Sequence, residues 1–554
     1  MTSRPQPRER QSQAWDSPGL AFFRARQPFS PEYSPWQQAP HRAERRPAPP
    51  IATWRLRGIF GEGRNRYDSS VPLNLYNSLT KHEETFSPLL APVVTMYTCG
   101  PTVYSRPHIG NYASFLMADL LRRWLEAGHG YQVKHVKNIT YVGHLLHDAD
   151  QGYDKIQKEA EKEKIHPLEI AKRYTDQYLE DERALNMLEP LARPRATSFV
   201  EQMKTMIEEL LKRGFAYVTE DGIYFDVTSK TRTPYGALSG NTLDKVASGS
   251  RVAVNEQKKH PSDFALWKFC VGHNSHHILR WVSPNIPASM LGGIEVGIGF
   301  GSIQHSIPIP LPGGFPGWHI ECSAMSRALL GDTVDIHTGG EDNIFPHHEC
   351  EIAQSEQVTQ KPFVRLFLHK RRIDLGDQKM SKSLGNVLNL SNIIDKGYSP
   401  LDLRYYLLSV HYRTPLKFSW KGMDDAKKAR RKIMEWTKRV TVQEHPSPSA
   451  DHVRQFSAAM DDDLNTPAAL AVIFEAMKSG EPTQEFVDMI RHTFGCFEVE
   501  EGQGIPENIL ELKAQRQKAR DEKKYEESDR LRKLMEEQGY EVRDVKGDQV
   551  VKRK

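Results

Sequence analysis

The chain has 554 residues, 38% of them hydrophobic and 26% charged, which suits a soluble globular protein of about two to four domains. No apolar run is long enough to span a bilayer, and the lowest-charge stretch, near 286–316, is broken by Pro and Gly. Five cysteines are too few for a disulfide framework, so a reducing, cytoplasmic setting is expected and each cysteine needs its own account.

The net charge of +4 is unevenly spread. Residues 1–66 hold twelve Arg, no Lys and five acidic residues, a local +7, so the rest of the chain carries −3. The main body has no global basic field, and any contact with nucleic acid must use local patches.

Residues 1–70, rich in Pro, Arg and Gln, read as a disordered extension. Arg-rich composition also suits a transit peptide, which would place the protein in an organellar matrix; the prolines and acidic residues favour a plain extension. The β-branched and aromatic run 93–98 predicts a strand. It enters the turn Cys99-Gly100-Pro101-Thr102 and then His108-Ile109-Gly110-Asn111. Leu116, Leu120, Leu121, Trp124 and Leu125 give 116–127 a helical stripe, and 133–139 reads as a second strand. Strand, helix, strand at this length predicts a βαβ unit and a parallel sheet with ligands at the strand C-termini.

From 153 to 211 the chain is charged and helical. A short strand is expected at 334–337, ending in Thr338-Gly339-Gly340. Phe345-Pro346-His347 is expected to open a helix, with Pro at an early position where its missing N–H does no harm. Another strand, 363–368, precedes a loop carrying Lys379-Met380-Ser381-Lys382-Ser383. After Pro415 the pattern is helical at 423–440, 451–474 and 483–494; 507–538 reads as a long charged helical stretch, followed by a β-like tail at 540–551.

Cys99, Cys322, His347 and Glu351 are candidate ligands of one Zn²⁺. A structural zinc site usually shows two close ligand pairs. These four come from three places, the pattern of a site built between elements of a folded core. His347 and Glu351, at i and i+4, share one face of a helix. Taken singly, the cysteines read better as buried apolar residues and His347 as a satisfied core histidine. The four together, interleaved with the His108 and Lys379 segments, reverse that preference. Zn²⁺ binds thiolate sulfur at about 2.3 Å, so a substrate thiol can join its ligands where a serine hydroxyl is far poorer, and no editing site is required.

The His108 segment lies between a turn and a helix, where imidazole and helix N-terminus both stabilise phosphate charge. Lys379 and Lys382 can neutralise a departing pyrophosphate. Gly339 and Gly340 permit close backbone approach to a nucleotide. Four residues such as His108–Asn111 are weak alone; the ordered, well-separated pair of segments points to activation of a carboxylic acid by ATP. By composition alone, the mixed-charge helices after 423 read as solvated faces.

The segments MYTCGPTVY (96–104), HIGN (108–111), NIT (138–140), DFALWK (263–268), GFPGWHIECSAM (314–325), FPHHE (345–349), KMSKSLGN (379–386), HYR (411–413) and DDLNTPAAL (462–470) jointly resemble those of the cysteinyl-tRNA synthetases, class I enzymes. The resemblance covers about 73–270 and 313–554. It implies an α/β fold: a Rossmann-type parallel-sheet catalytic core at 71–412 split by an insertion, an α-helical tRNA-binding bundle at 413–500, and a small α+β anticodon-recognition domain at 505–554. It implies zinc, one ion per chain, on the same Cys99, Cys322, His347 and Glu351. It implies catalytic roles for His108, Asn111, Lys379 and Lys382, ATP contacts at His108, Gly110, Asn111, Gly339, Gly340 and Lys382, and a cysteine pocket at Gly100, Thr140, Trp318 and His347. The implied partners are L-cysteine, ATP with Mg²⁺, and tRNA(Cys), with no membrane and a monomeric chain. The implied reaction forms cysteinyl-adenylate and then esterifies the terminal ribose of the tRNA.

Three departures stand out. Tyr141 follows NIT where the family usually has Asp, and Cys350 lies between His347 and Glu351 where Asn is common, placing a further thiol beside the expected zinc. The stretch 271–311 runs through Gly-, Ile- and Pro-rich sequence longer than the family's connection, an insertion or a gene-model error that would enter just before the Trp318–Cys322 segment. Two other readings compete: a cysteine ligase with an amino-sugar acceptor, which has no need of the tail 507–554, and an inactive tRNA-binding relative, against which every ATP and zinc residue remains in place.

Overall fold

The computed structural model describes residues 72–145, 154–243, 257–287, 290, 311–376, 378–379, 387–440, 449–497, 507–545 and 548–553. The extension 1–66, most of the atypical segment, and Lys382 with its motif from Met380 onward lie outside them. Among the described residues no helix is long and apolar enough to cross a membrane.

The expected βαβ unit belongs to a four-stranded parallel sheet. Its order is Val364–Lys370, Val334–Gly340, Val93–Thr98, Gln132–Lys137. Thr98 pairs with Thr338, and Lys370 with Gly340, so the expected ligand-bearing strand ends lie side by side. Helix Ile109–Ala127 crosses between the first two strands of the unit and buries Ile109, Leu116, Leu120, Leu121 and Trp124 in one core with Met96, Ile336, Leu366 and Leu368. The helix begins seven residues before the predicted stripe, because His108 caps it. His108 Nδ1 accepts from the Asn111 N–H (3.2 Å), and Asn111 Oδ1 accepts from the His108 N–H (3.0 Å). Such a reciprocal cap contributes roughly 1 kcal/mol and satisfies two otherwise orphaned donors.

The insertion contains helices Lys155–Glu163, Pro167–Ala184 and Val200–Lys212 and an antiparallel sheet, Ala216–Val218, Gly222–Phe225, Phe264–Phe269, Gly314–Pro316, that the sequence pattern did not announce. The atypical segment leaves and re-enters at this sheet. Trp281 and Gly314 exchange backbone hydrogen bonds of 2.7 and 2.8 Å, Trp267 Nε1 donates to Ser283 Oγ (3.0 Å), and Ser283 Oγ donates to the Pro312 carbonyl (2.6 Å). The excursion is therefore closed at a neck, and Phe315 and Pro316 keep their pairing to Lys268 and Trp267, just before Trp318.

Three predicted elements differ. The helix expected from Phe345 instead starts at Glu349, because Phe345 is extended (φ −139°, ψ 133°) and Pro346 sits in a wide turn, Ile344–His348. The stretch 451–474 is two helices, Ser449–Asp461 and Thr466–Ser479, broken at Asp463 and Leu464, whose φ values are +52° and +54°. Tertiary bonds hold that break: the Asp463 carboxylate accepts from the Tyr76 N–H (2.8 Å), Tyr412 Oη (2.5 Å) and Arg413 Nε (2.5 Å). The stretch 507–538 is likewise two helices, Glu507–Asp521 and Tyr525–Glu537, reversing at Lys523 (φ +57°). Folding back lets Ile509 and Met535 share a small core with Tyr540, Val542 and Val551 of the terminal hairpin, which one straight helix could not build.

Helices Pro400–Leu408 and Gln484–Phe494 are tied to helix Ile109–Ala127 by Arg404, which is fully buried. Its guanidinium donates to Asp119 Oδ2 and the Phe494 carbonyl at 2.5 Å, and to the carbonyls of Leu185 and Asn186 at 2.9 Å.

Candidate metal and nucleotide site

Four chain segments converge at the sheet's C-terminal edge. Cys99 directly follows strand Val93–Thr98, and Cys322 lies in the second turn of helix Trp318–Leu330. His347 leaves the wide turn and Glu351 the helix Glu349–Thr359. The Cys99 and Cys322 sulfurs are 3.7 Å apart, Cys99 Sγ is 3.5 Å from Glu351 Oε1, and His347 Nε2 is 3.0 Å from the same oxygen. All four residues are buried, and their donor atoms lie within 4.8 Å of one another. A tetrahedral ion with metal–sulfur bonds of about 2.3 Å has a sulfur–sulfur edge of about 3.8 Å, and one with nitrogen and oxygen at about 2.0–2.1 Å has an edge of about 3.3 Å. The donor set therefore fits Zn²⁺ in both chemistry and spacing.

The charges agree with that fit. Burial pushes the Cys322 thiol up, but the hydrogen bond from Cys99 and the adjacent His347 outweigh it and bring it down to about 6. Burial, and the thiol-to-thiol bond to Cys322, hold Cys99 well above the usual thiol range. Burial disfavours the Glu351 carboxylate, yet His337 and His347 hold it to about 2. The pocket thus gathers a thiolate and a carboxylate, and although burial lowers it, Glu351 and Cys322 raise the His347 imidazole to about 10, so the ring gives up a proton when a dication takes its place between them. His347 Nδ1 lies 2.9 Å from His319 Nδ1, which fixes the ring so that Nε2 faces Glu351.

Beside this pocket runs a chain of polar contacts. The Gly100 N–H donates to Asn138 Oδ1 (2.8 Å), Asn138 Nδ2 to Thr140 Oγ1 (2.9 Å), and Thr140 Oγ1 to Glu321 Oε2 (2.8 Å). A Cβ at Gly100 would fall 1.7 Å from the Asn138 carbonyl oxygen, so only Gly permits this approach. Trp318 stacks on His347 and on His144. Gly100, Thr140, Trp318 and His347 are thus brought to one place by contacts with each other or with shared neighbours. Cys350 is turned elsewhere: its sulfur is 3.5 Å from Tyr235 Oη, and it is not among the close donor atoms. Tyr141 is buried, its hydroxyl 2.5 Å from Thr197 Oγ1.

Of the nucleotide-type residues, Gly339 and Gly340 end a strand of the parallel sheet, Lys379 lies in a separate three-stranded sheet, and Lys382 is outside the described residues. Because His108 Nδ1 accepts a backbone N–H, the proton of its neutral ring is on Nε2. Gly110 and Asn111 are in the first turn of that helix. The Ile109 N–H donates to the Leu388 carbonyl (2.8 Å), joining the helix start to the residue that closes the Lys379–Asn386 segment. Lys379 ends the strand Gln378–Lys379, paired with Asp374. Gly339 and Gly340 end their strand; a Cβ at Gly339 would meet the His348 ring at 2.7 Å. Sequence reasoning missed His144, His319, Glu321, His337, His348 and His369, all buried and packed around these groups. The consecutive pair His347-His348 was a visible signal, since neighbours on a regular helix do not face one site; only the wide turn lets both point inward.

Comparison with known proteins gives a consistent family. The description "tRNA synthetases class I (C) catalytic domain" matches residues 85–285 and 302–428. "DALR domain" matches 455–481. The gap in the first match, 286–301, falls inside the necked excursion. The chain is 38% identical over 507 residues to a cysteine–tRNA ligase of Chlorobium chlorochromatii, covering 86% of this chain and 98% of that one. It is 42% identical over 417 residues to one of Chlorobium luteolum, covering 74% and 79%, and 36% identical over 510 residues to one of Thermus thermophilus, covering 86% and 98%.

Proposed function

Since the chain belongs to the cysteine–tRNA ligase family of class I aminoacyl-tRNA synthetases, we propose that it activates L-cysteine with ATP and transfers it to tRNA(Cys), selecting the thiol at a zinc site. The observation that carries the reading is the buried Cys99–Cys322–His347–Glu351 pocket at the same sheet edge as the His108-capped helix.

Cys99, Cys322, His347 and Glu351 would hold the ion. A zinc ion there supplies a thiophilic position that favours a substrate thiolate over a hydroxyl. Gly100, Thr140 and Trp318 place the amino acid, with the Gly100–Asn138–Thr140 contacts fixing the pocket wall. The cysteine carboxylate attacks the α-phosphorus of ATP and pyrophosphate departs, giving cysteinyl-adenylate. His108, donating from Nε2, and the helix N-terminus with Asn111 and Gly110 stabilise phosphate charge. Gly339 and Gly340 admit the nucleotide, and Lys379 and Lys382 neutralise the pyrophosphate, with Mg²⁺ accompanying ATP. The terminal ribose hydroxyl of tRNA then attacks the adenylate carbonyl and releases AMP. The enzyme acts by positioning and charge, with no protein nucleophile.

Helices after 413 form the tRNA-binding part in this reading, and 505–554 reads the anticodon. A monomer in a reducing, cytoplasmic compartment completes it; the five cysteines are all free thiols. The test is incorporation of labelled cysteine, with serine in parallel, into acid-precipitable, RNase-sensitive product. Charging with cysteine and not serine supports the reading. Folded, zinc-loaded protein that charges neither overturns it in favour of another acceptor or an inactive relative.

A further inference from the structure

Cys99 and Glu351 also belong to a second group of close donors. With His337 and His348 they form another set of four buried residues whose ligand atoms lie within 4.8 Å of one another. Cys99 Sγ is 3.4 Å from His348 Nε2 and 4.0 Å from His337 Nε2, and His337 Nε2 is 3.1 Å from Glu351 Oε2. A tetrahedral ion with one sulfur ligand has sulfur–nitrogen edges of about 3.5 Å, which the two sulfur–nitrogen distances bracket, and nitrogen–oxygen edges of about 3.3 Å, slightly longer than the 3.1 Å found. The Glu351 carboxylate divides between the two groups. Oε1 faces His347 and Cys99, while Oε2 faces His337.

The surroundings orient the second set. His348 Nδ1 lies 2.8 Å from His369 Nε2, which turns the other nitrogen of His348 toward Cys99. Metal-bound histidines are held in this way by a partner on their far nitrogen. If the cluster served only to steady Glu351, His337 would suffice. His348 Nε2 lies within hydrogen-bond distance of the Cys99 sulfur, so with no ion present it steadies that thiol as His337 steadies Glu351, and the same two nitrogens stand at ligand distance from the space between them. His337 has no partner on its far nitrogen: its Nδ1 is buried without a hydrogen bond, and the ring is placed instead by stacking on Phe367 and by the Nε2 contact with Glu351.

We propose that Cys99, Glu351, His337 and His348 form a second position for a zinc-type divalent cation, bridged to the first through the Cys99 sulfur and the two oxygens of Glu351. The first ion to bind at either position displaces the Cys99 proton to solvent, an ion that joins it across the bridge displaces none from that sulfur, and no electron transfer is involved. The second position offers one thiolate and two imidazoles where the first offers two thiolates and one imidazole. It therefore binds a thiophilic ion more weakly and keeps an ion when Cys322 is lost. The inference needs the metal chemistry of the first group only through the two shared ligands, and it does not depend on which acceptor is charged.

The probe is Co²⁺ alone, added to full-length protein stripped of metal, with metal content and thiolate-to-cobalt charge-transfer absorption as readouts. Cys322→Ser is expected to retain one ion with about half the charge-transfer intensity per ion of the wild type at one equivalent. Adding His348→Ala to that variant is expected to release it. Folded Cys322→Ser protein without metal, or with an ion that survives His348→Ala, overturns the proposal. Should Cys322→Ser fail to fold, titration of wild type beyond one equivalent decides. A second, weaker uptake that His348→Ala removes supports the bridge; no second uptake, or one that His348→Ala leaves intact, overturns it. Wild type that binds no ion at all would instead remove the first site as well, so the two failures are distinguishable.

Discussion

The indole of Trp318 lies 4.3 Å from the imidazole of His347, centroid to centroid, with the ring planes 25° apart. A second imidazole, His144, stacks on the same indole at 3.8 Å and 9°. A candidate metal ligand and a candidate pocket wall are thus one packed unit, and the position of either ring fixes the other.

Trp318→Ala should accordingly raise the KM for cysteine by about tenfold, the scale of one lost aromatic contact. The KM for ATP should move much less. Trp318→Phe, which keeps a ring to stack on, should fall between. ATP–pyrophosphate exchange with each substrate varied in turn checks this; an unchanged cysteine KM in Trp318→Ala would remove the indole from the pocket.

Cys99→Ala takes away the sulfur common to both donor groups. The purified variant should carry well under one equivalent of zinc and lose cysteine activation, because metal affinity falls steeply with each lost thiolate. Mass-spectrometric metal analysis beside pyrophosphate exchange reads both. Full zinc content would refute the ligand assignment.

Lys370 gives a pH dependence with a definite sign. Its ammonium is buried and donates to the Tyr412 and Thr414 carbonyls at 3.4 and 3.3 Å. Burial brings it down to about 8, with Glu341 only partly offsetting that. Below pH 8 both folded and unfolded chains carry the proton, and the buried charge costs stability. Between about 8 and the ordinary lysine value near 10.4 only the unfolded chain keeps it, so the fold gains stability as pH rises, on the order of 3 kcal/mol in all. Lys370→Met should be more stable than wild type at pH 7 and lack this gain, as urea unfolding at pH 7 and 10 would register. Equal slopes in the two proteins would count against it.

Much of this site was legible in the sequence because chemistry constrained it at each position. The pair His347 and Glu351 declared itself by spacing, and Cys99 by following a strand. What stayed hidden depended on distant partners. The break at Asp463 is set by Tyr76, Tyr412 and Arg413, which no local pattern contains. The start of the helix at Glu349 turns on the extended Phe345, and a Pro one residue later disguised it as a helix opening. His337 and His369 lie on strands whose alternation is masked by burial on both faces, so they read as strand filler and not as site groups.

Asp119→Asn should destabilise the protein by about 3–5 kcal/mol, the cost of leaving a buried guanidinium without its counter-charge. Arg404 and Arg123 both bond to Asp119 Oδ2, so the loss falls on the joint between the first Rossmann helix and the helices after 400. Chemical denaturation measures it, and a change under about 1 kcal/mol would show the hub to be dispensable.

The closed neck at Ser283 and Pro312 makes a deletion informative. Replacing residues 291–310 with a short Gly-Ser bridge should leave pyrophosphate exchange within about twofold, since loop length past a fixed closure costs little. A large loss would assign the excursion a part in catalysis.

Cys99 and Glu351 stand 252 positions apart in the chain, and strand Val364–Lys370, against which their own strand neighbours pair, comes later still. During synthesis a nascent chain that has emerged only to residue 330 holds Cys99 and Cys322, with neither of the other candidate donors, His347 and Glu351, yet made. The candidate donors come together only when the sheet closes over sequence made much later, so the proposed reading requires the two thiols to stay reduced and unmetallated through most of translation. In the proposed zinc reading the ion is then acquired by a finished domain from whatever pool the cell buffers. Under zinc limitation that reading gives folded enzyme and uncharged tRNA, not failed folding.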